Sequence, residues 1–210
     1  MIKKNLKILL ITSVVILLPI LAGMILWDQL PEQMPFHWNA AGEVDGWASK
    51  PVGVFVMPVV LMAFQWLCVI GTASDPKKAH HQEKVLHLIF WLIPVLSVVL
   101  HAVTYATALG KEIPMDVIMS VFMGLIFTII GNYLPKCKQN YTIGIKIPWT
   151  LDSEENWNKT HRFAGKLWVV CGLAMIVLGF FGKFWAFCVA ALPMVLLPVI
   201  YSYILHRKGM

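Results

Sequence analysis

The chain has too little charge for a protein that lives in water. Asp, Glu, Lys and Arg make up 13% of its 210 residues, while 59% are hydrophobic. Ordinary soluble domains carry about a quarter charged residues, so this composition excludes a free aqueous globule and requires a bilayer. Cysteine is scarce as well. Cys68, Cys171 and Cys188 fall in apolar runs, Cys137 stands alone in a polar stretch, and no C-x-x-C pair occurs. That spacing offers neither a disulfide framework nor a set of metal ligands, and it reads as small buried hydrophobes. Also missing are a nucleophile–base pair, paired carboxylates on one face, a phosphate-binding glycine loop and a zinc-binding helix motif. Nothing therefore argues for an enzyme, a cofactor or a metal centre. The net charge of +6 would suit nucleic acid in a soluble protein. In a membrane chain the location of charge matters more than its sum, and no direct nucleic-acid contact is expected.

What is abundant is long uncharged runs. Residues 8–27, 51–71, 85–109, 117–134, 167–182 and 184–205 contain no Asp, Glu, Lys or Arg. Twenty residues of helix rise ~30 Å, the thickness of the hydrocarbon core. The expected fold is an all-α membrane protein, a bundle of six transmembrane helices. Lys3, Lys4 and Lys7 precede the first run, as in a signal peptide, but the run is too long and lacks a cleavage site, so it is read as an uncleaved helix. The cations then orient the bundle. Lys3, Lys4, Lys7, Lys77, Lys78, Lys84, Lys136, Lys138, Lys146, Lys159, Arg162, Lys166, Arg207 and Lys208 fall on one side, against Lys50, Lys111 and Lys183 on the other. Both termini and the loop at 135–166 are expected in the cytoplasm, N-in and C-in. The loop at 28–50 is expected outside, where Asp28, Glu32, Glu43 and Asp45 make it acidic.

Helices in lipid associate through small and polar residues. Ser120, Gly124, Thr128 and Asn132 recur every four residues on one face of the fourth run, and Ala186 and Ala190 are spaced for close approach. In the third run Ser97, His101 and Tyr105 form a polar stripe. His87 lies about four turns before His101, near the same face. With no charged partner in any span, the two histidines read as neutral hydrogen-bonding groups, with a protonation site as the alternative. Pro19, Pro58, Pro94, Pro193 and Pro198 are expected to kink their helices. The histidine stripe and these kinks support the alternative of a small membrane transporter or channel.

Two polar loops remain. In the first, Pro31 and Pro35 stiffen the chain and Gly42 and Gly46 permit turns, framing His37, Trp38, Asn39, Asp45 and Trp47. In the second, Tyr141 to Ile147 alternates with a period of two, compatible with a short extended segment that Pro148 ends. Asp152 and Glu155 resemble a capping box, so a helix is expected to start near Ser153. It would carry Trp157, His161, Ala164 and Trp168 on one face and Glu155, Asn158, Lys159 and Arg162 on the other. Such a segment suits an interfacial helix between helices 4 and 5, meeting lipid phosphate, or a surface for a protein partner.

These loops carry a resemblance. Gly131-Asn132, Pro135-Lys136, Asn140, Ile143-Gly144-Ile145, Pro148-Trp149-Thr150, Trp157, Lys159-Thr160-His161-Arg162 and Gly165 resemble the signature of the SdpI-type immunity proteins of Gram-positive bacteria. Leu30-Pro31, Pro35, His37-Trp38-Asn39, Gly42, Asp45 and Lys50 resemble the companion N-terminal module of that family. The resemblance implies two modules: residues 1–84, with two helices and the outer loop 28–50, and residues 85–210, with four helices and the cytoplasmic loop 135–166. It further implies an integral membrane protein without catalytic activity, resistant to a secreted antimicrobial peptide and able to sequester a transcriptional repressor at the membrane. Toxin-side contacts would fall on His37, Trp38, Asn39, Gly42 and Asp45. Contacts to the cytoplasmic repressor would fall on Asn140, Gly144, Pro148, Trp149, Trp157, His161 and Arg162. Lys146 departs from the arginine expected there and lacks its planar fork.

Overall fold

A computed structural model describes residues 2–80, 82–181 and 184–210, with the side chains of Lys78 and of residues 184–188 outside that description. The expected closeness at Ala186 and the boundary at Lys183 thus lie outside the described residues. Seven α-helices are described: α1 (Ile2–Ile25), α2 (Met57–Ala73), α3 (Glu83–Ala108), α4 (Met115–Tyr133), α5 (Pro148–Asp152), α6 (Glu154–Gly179) and α7 (Phe184–Arg207). Six are long and apolar enough to cross a membrane; α5 is a five-residue turn of helix. Among the described residues, the one sheet added to an all-α bundle is an antiparallel hairpin, β1 (Gln33–Trp38) and β2 (Val44–Ser49).

Packing divides the chain into two compact units, residues 1–73 with 86–115 and residues 74–85 with 116–210. In the first unit, α1, α2 and α3 meet around Leu9, Val69, Leu86 and Phe90, and the hairpin closes over Leu30, Met34, Val54 and Tyr105. Polar side chains bridge these helices, because lipid supplies no partner for a polar group. Gln65 Nε2 donates to Thr12 Oγ1 (2.6 Å), Trp66 Nε1 to Ser13 Oγ (3.1 Å), Ser97 Oγ to the Ile16 carbonyl (3.0 Å) and Tyr105 OH to the Pro19 carbonyl (3.0 Å). The expected stripe on α3 thus grips α1 beside its proline. His101 is buried and bonds the Ser97 carbonyl through Nδ1 (2.7 Å), whereas His87 is exposed, so the two do not share a setting. Pro58 does not kink a helix interior. A π-helical turn, Val52–Val56, precedes it, and Met57 N–H reaches the Val52 carbonyl. Widened turns of this kind absorb a break in the helical ladder.

In the second unit, the small face of α4 packs on α6. A methyl group added at Gly124 would strike Gly172 and Ile176, and one at Gly179 would strike Ser120. Backbones approach this closely only where side chains are small. Gly131, opposite Gly165, continues the face in place of Asn132, which is exposed. Cys171, Met175, Ala190 and Met194 form the core between α6 and α7.

Candidate functional site

The hairpin is a small polar device on an apolar base. Its tip is closed by Asn39, whose Oδ1 accepts from Ala41 N–H (2.8 Å) and Glu43 N–H (3.1 Å) while Nδ2 donates to Glu43 Oε2 (3.1 Å). This is the way a short amide side chain stands in for backbone in a turn. Gly42 takes a positive φ of 79° there. Register irregularities flank His37, so Phe36 and Asp45 stand outside the backbone register of the two strands. His37 Nδ1 meets Asp45 Oδ1 at 2.5 Å, both exposed. Phe36 and Trp47 are about half exposed, with Trp38 partly covered. The structure therefore brings His37, Trp38, Asn39, Gly42 and Asp45 onto one hairpin. No group of three or more His, Cys, Asp or Glu among the described residues could hold a metal ion.

Lys50 pins the hairpin to the turn that follows α1. Its side chain is buried under the strands, with Nζ 3.0 Å from Glu32 Oε1, 3.3 Å from the Trp27 carbonyl and 5.0 Å above the Trp27 ring. A cation at the end of α1 also matches the negative pole of that helix. Beneath Pro35 and Phe36, a cavity of about 20 Å³ is lined by Gly53, Met57, Leu100, His101 and Thr104, which is room for one water molecule.

The second polar loop is a knot rather than a surface. The alternating segment Tyr141–Ile147 forms bends, not a strand. The cause is Asn140, whose Oδ1 accepts from Thr142 N–H (2.9 Å) and Ile143 N–H (2.7 Å) and so curls the chain around itself. Pro148 does not only end this segment but opens α5 at its first turn, where a missing N–H costs nothing. Thr150 Oγ1 accepts from Ile147 N–H (3.1 Å) to cap that turn. Asp152 belongs to α5, so the cap of α6 is Ser153, whose Oγ accepts from Asn156 N–H (3.2 Å).

From Ser153 the amphipathic segment and the fifth span form one continuous helix of 26 residues. Its predicted inner face is buried: Trp157, His161 and Ala164 are almost entirely covered. Trp157 Nε1 donates to the Cys137 carbonyl (2.7 Å), and its ring stacks on His161 at 4.0 Å. His161 Nε2 accepts from Ile145 N–H (2.9 Å), so its proton sits on Nδ1, which donates to the Trp157 carbonyl (2.8 Å). The neutral ring is thereby fully used. Gly144 closes the knot at φ 116°, and a side chain there would enter the space of His161 and Trp157. Burial pushes the nearby Cys137 thiol up to about 11.

Asn140, Gly144, Trp157 and His161 thus come together inside the knot. Trp149 lies apart, against Tyr203 (5.1 Å) and His206 (6.0 Å) of α7. Pro148 is exposed beside it. Arg162 faces outward with Glu154, Glu155, Asn158 and Lys159 along an open groove of about 530 Å³. Sequence reasoning missed Asp75. Its buried carboxylate accepts from Lys77 N–H (2.7 Å), Tyr141 N–H (2.9 Å) and Thr142 Oγ1–H (2.8 Å). Lys77 Nζ and His80 Nδ1 bond Gln139, and Gln139 Nε2 reaches the Thr150 and Leu151 carbonyls (2.9 Å each). The only local signal was the Asp75-Pro76 pair, a turn initiator.

Six apolar helices, a hairpin at one loop and a knotted loop at another define a multi-pass membrane protein. The chain belongs to the SdpI/YfhL protein family, whose model matches residues 136–202. A second model, a domain of unknown function (DUF1648), matches residues 14–62, which include the hairpin. The chain is 32% identical over 179 residues to Immunity protein SdpI of Bacillus subtilis (strain 168), covering 85% of this chain and 83% of that protein. No solved structure matches it.

Proposed function

We propose that this protein protects its cell against a secreted antimicrobial peptide, by binding rather than by chemistry. The observation that carries this reading is the likeness, along most of both chains, to a protein named for immunity. The charge distribution supports an orientation with the hairpin outside and the knotted loop in the cytoplasm. The association of the α2–α3 loop with the knotted loop, through Asp75 and Lys77, fits that orientation because both must then lie on one side.

Outside, His37, Trp38, Asn39, Gly42 and Asp45 form the contact for the peptide. The tip is acidic, through Glu43 and Asp45, and attracts a cationic peptide. Exposed Phe36 and Trp47 offer it apolar area. Inside, a repressor protein docks on the outward strip of α6 that includes Arg162 and on the rim near Pro148 and Trp149. Asn140, Gly144, Trp157 and His161 hold that strip in shape from beneath. The test is deletion of the gene, followed by exposure of the cells to spent medium from the parent strain. Survival falls at least tenfold and returns when the gene is restored. Equal survival of deleted and parent cells overturns the reading.

A further inference from the structure

The loop between α2 and α3 is short, yet it holds a buried carboxylate with a specific task. Asp75 is 2% exposed and lies just beyond the membrane span that ends at Ala73. Its two oxygens divide the work. Oδ1 takes Lys77 N–H of its own loop, and Oδ2 takes the backbone N–H of Tyr141 and the hydroxyl of Thr142. Thr142 is also one of the two residues, with Ile143, that Asn140 curls. A second clasp lies alongside, where Lys77 Nζ bonds Gln139 Oε1 and stands 5.4 Å above the Tyr141 ring. His80 adds a further bond, to the Gln139 carbonyl (2.8 Å). These bonds join the two loops, and those to the Asp75 carboxylate and from the Lys77 ammonium are charge-assisted, each about twice as strong as a neutral one.

We propose that Asp75 is a releasable latch that keeps the knotted loop closed. Chain continuity explains its position. The helix that ends two residues before Asp75 begins at the foot of the hairpin, and the 22 residues Val52–Ala73 span about 33 Å. The π-helical turn lies at the hairpin end of that rod. The chain that leaves the hairpin through this rod runs on into Asp75, so a shift at the hairpin has a covalent path to the latch. This transmission rests on the reading of the hairpin as the peptide contact. The latch itself does not, and it is tested without any peptide.

Cys137 is the reporter. Its thiol is buried under the closed loop, donating to the Tyr133 carbonyl at 3.6 Å, and its carbonyl is held by Trp157. A buried thiol with little thiolate reacts slowly. The full chain is placed in lipid nanodiscs, where both faces are reachable, and treated with a water-soluble maleimide. Labelling of Cys137 and Cys171 is followed by mass spectrometry. Asp75→Ala accelerates labelling of Cys137 at least tenfold, with Cys171 unchanged in the core between α6 and α7. Asp75→Asn, which keeps an acceptor oxygen but no charge, and Thr142→Val, which removes the hydroxyl bond to Asp75, give smaller increases of about threefold. These two carry the test if Asp75→Ala does not accumulate. Unchanged Cys137 labelling in the variants overturns the latch. An equal rise at Cys171 overturns it as well, because the change is then general loosening. If the latch opens but peptide survival is normal, the transmission fails and the immunity reading stands.

Discussion

The hairpin and the knotted loop hold similar residue types, histidine, asparagine, tryptophan and aspartate, and use them in opposite ways. In the hairpin the polar bonds are local and exposed: His37 meets Asp45 and Asn39 meets Glu43 within a few residues. In the knot they are buried and join distant parts of the chain, as Asp75 does with Tyr141 and Asn156 with the Ser202 carbonyl of α7. A surface group keeps most of its hydration and contributes little to stability. A buried one, once deprived of its partner, costs the full desolvation of whatever is left behind. The same residue type is therefore left facing solvent in the hairpin and built into the architecture in the knot.

Substitutions sharpen the contrast. The largest effect is expected from Trp157→Ala, which empties a fully covered site and leaves the Cys137 carbonyl without its donor. The loss is about 3–5 kcal/mol, seen as a steep drop in thermal stability of the purified protein. Gly144→Ala is expected to cost about 1–3 kcal/mol, since the backbone is held at φ 116° and the space belongs to His161. Its midpoint falls by several degrees. Asp45→Asn, which removes the charge facing His37, changes stability by less than about 1 kcal/mol while lowering peptide survival. A thermal loss at Asp45 as large as at Gly144 would erase the distinction between the two regions.

How much of this was legible depended on how far each signal reached. The spans were plain, because twenty uncharged residues identify a membrane helix without reference to any partner. Trp157, His161 and Ala164 were correctly grouped on one helical face, since a spacing of four and three is a property of the helix alone. What that face met could not be read, because Ile145 and the Cys137 carbonyl reach it through a loop with no periodic pattern. The hairpin was hidden for a related reason. Its register slips beside His37 break the alternation that marks strands. The cap of α6 shifted from Asp152 to Ser153 because a five-residue helix intervened. Asp75 was out of reach, because its partners in the knotted loop lie more than sixty residues along the chain.

The continuous helix α6 has a consequence for the membrane around it. Its uncharged stretch starts after Lys166, and from Leu167 to its last residue, Gly179, it rises only about 20 Å. The hydrocarbon layer is about 30 Å thick. The bilayer must thin beside this helix, or Lys166 and Arg162 must stretch their side chains towards the headgroups. Each missing ångström costs a fraction of a kcal/mol. The protein is therefore matched to thin or easily deformed lipid, and bilayer thickness becomes a variable that acts on the very turn carrying Arg162.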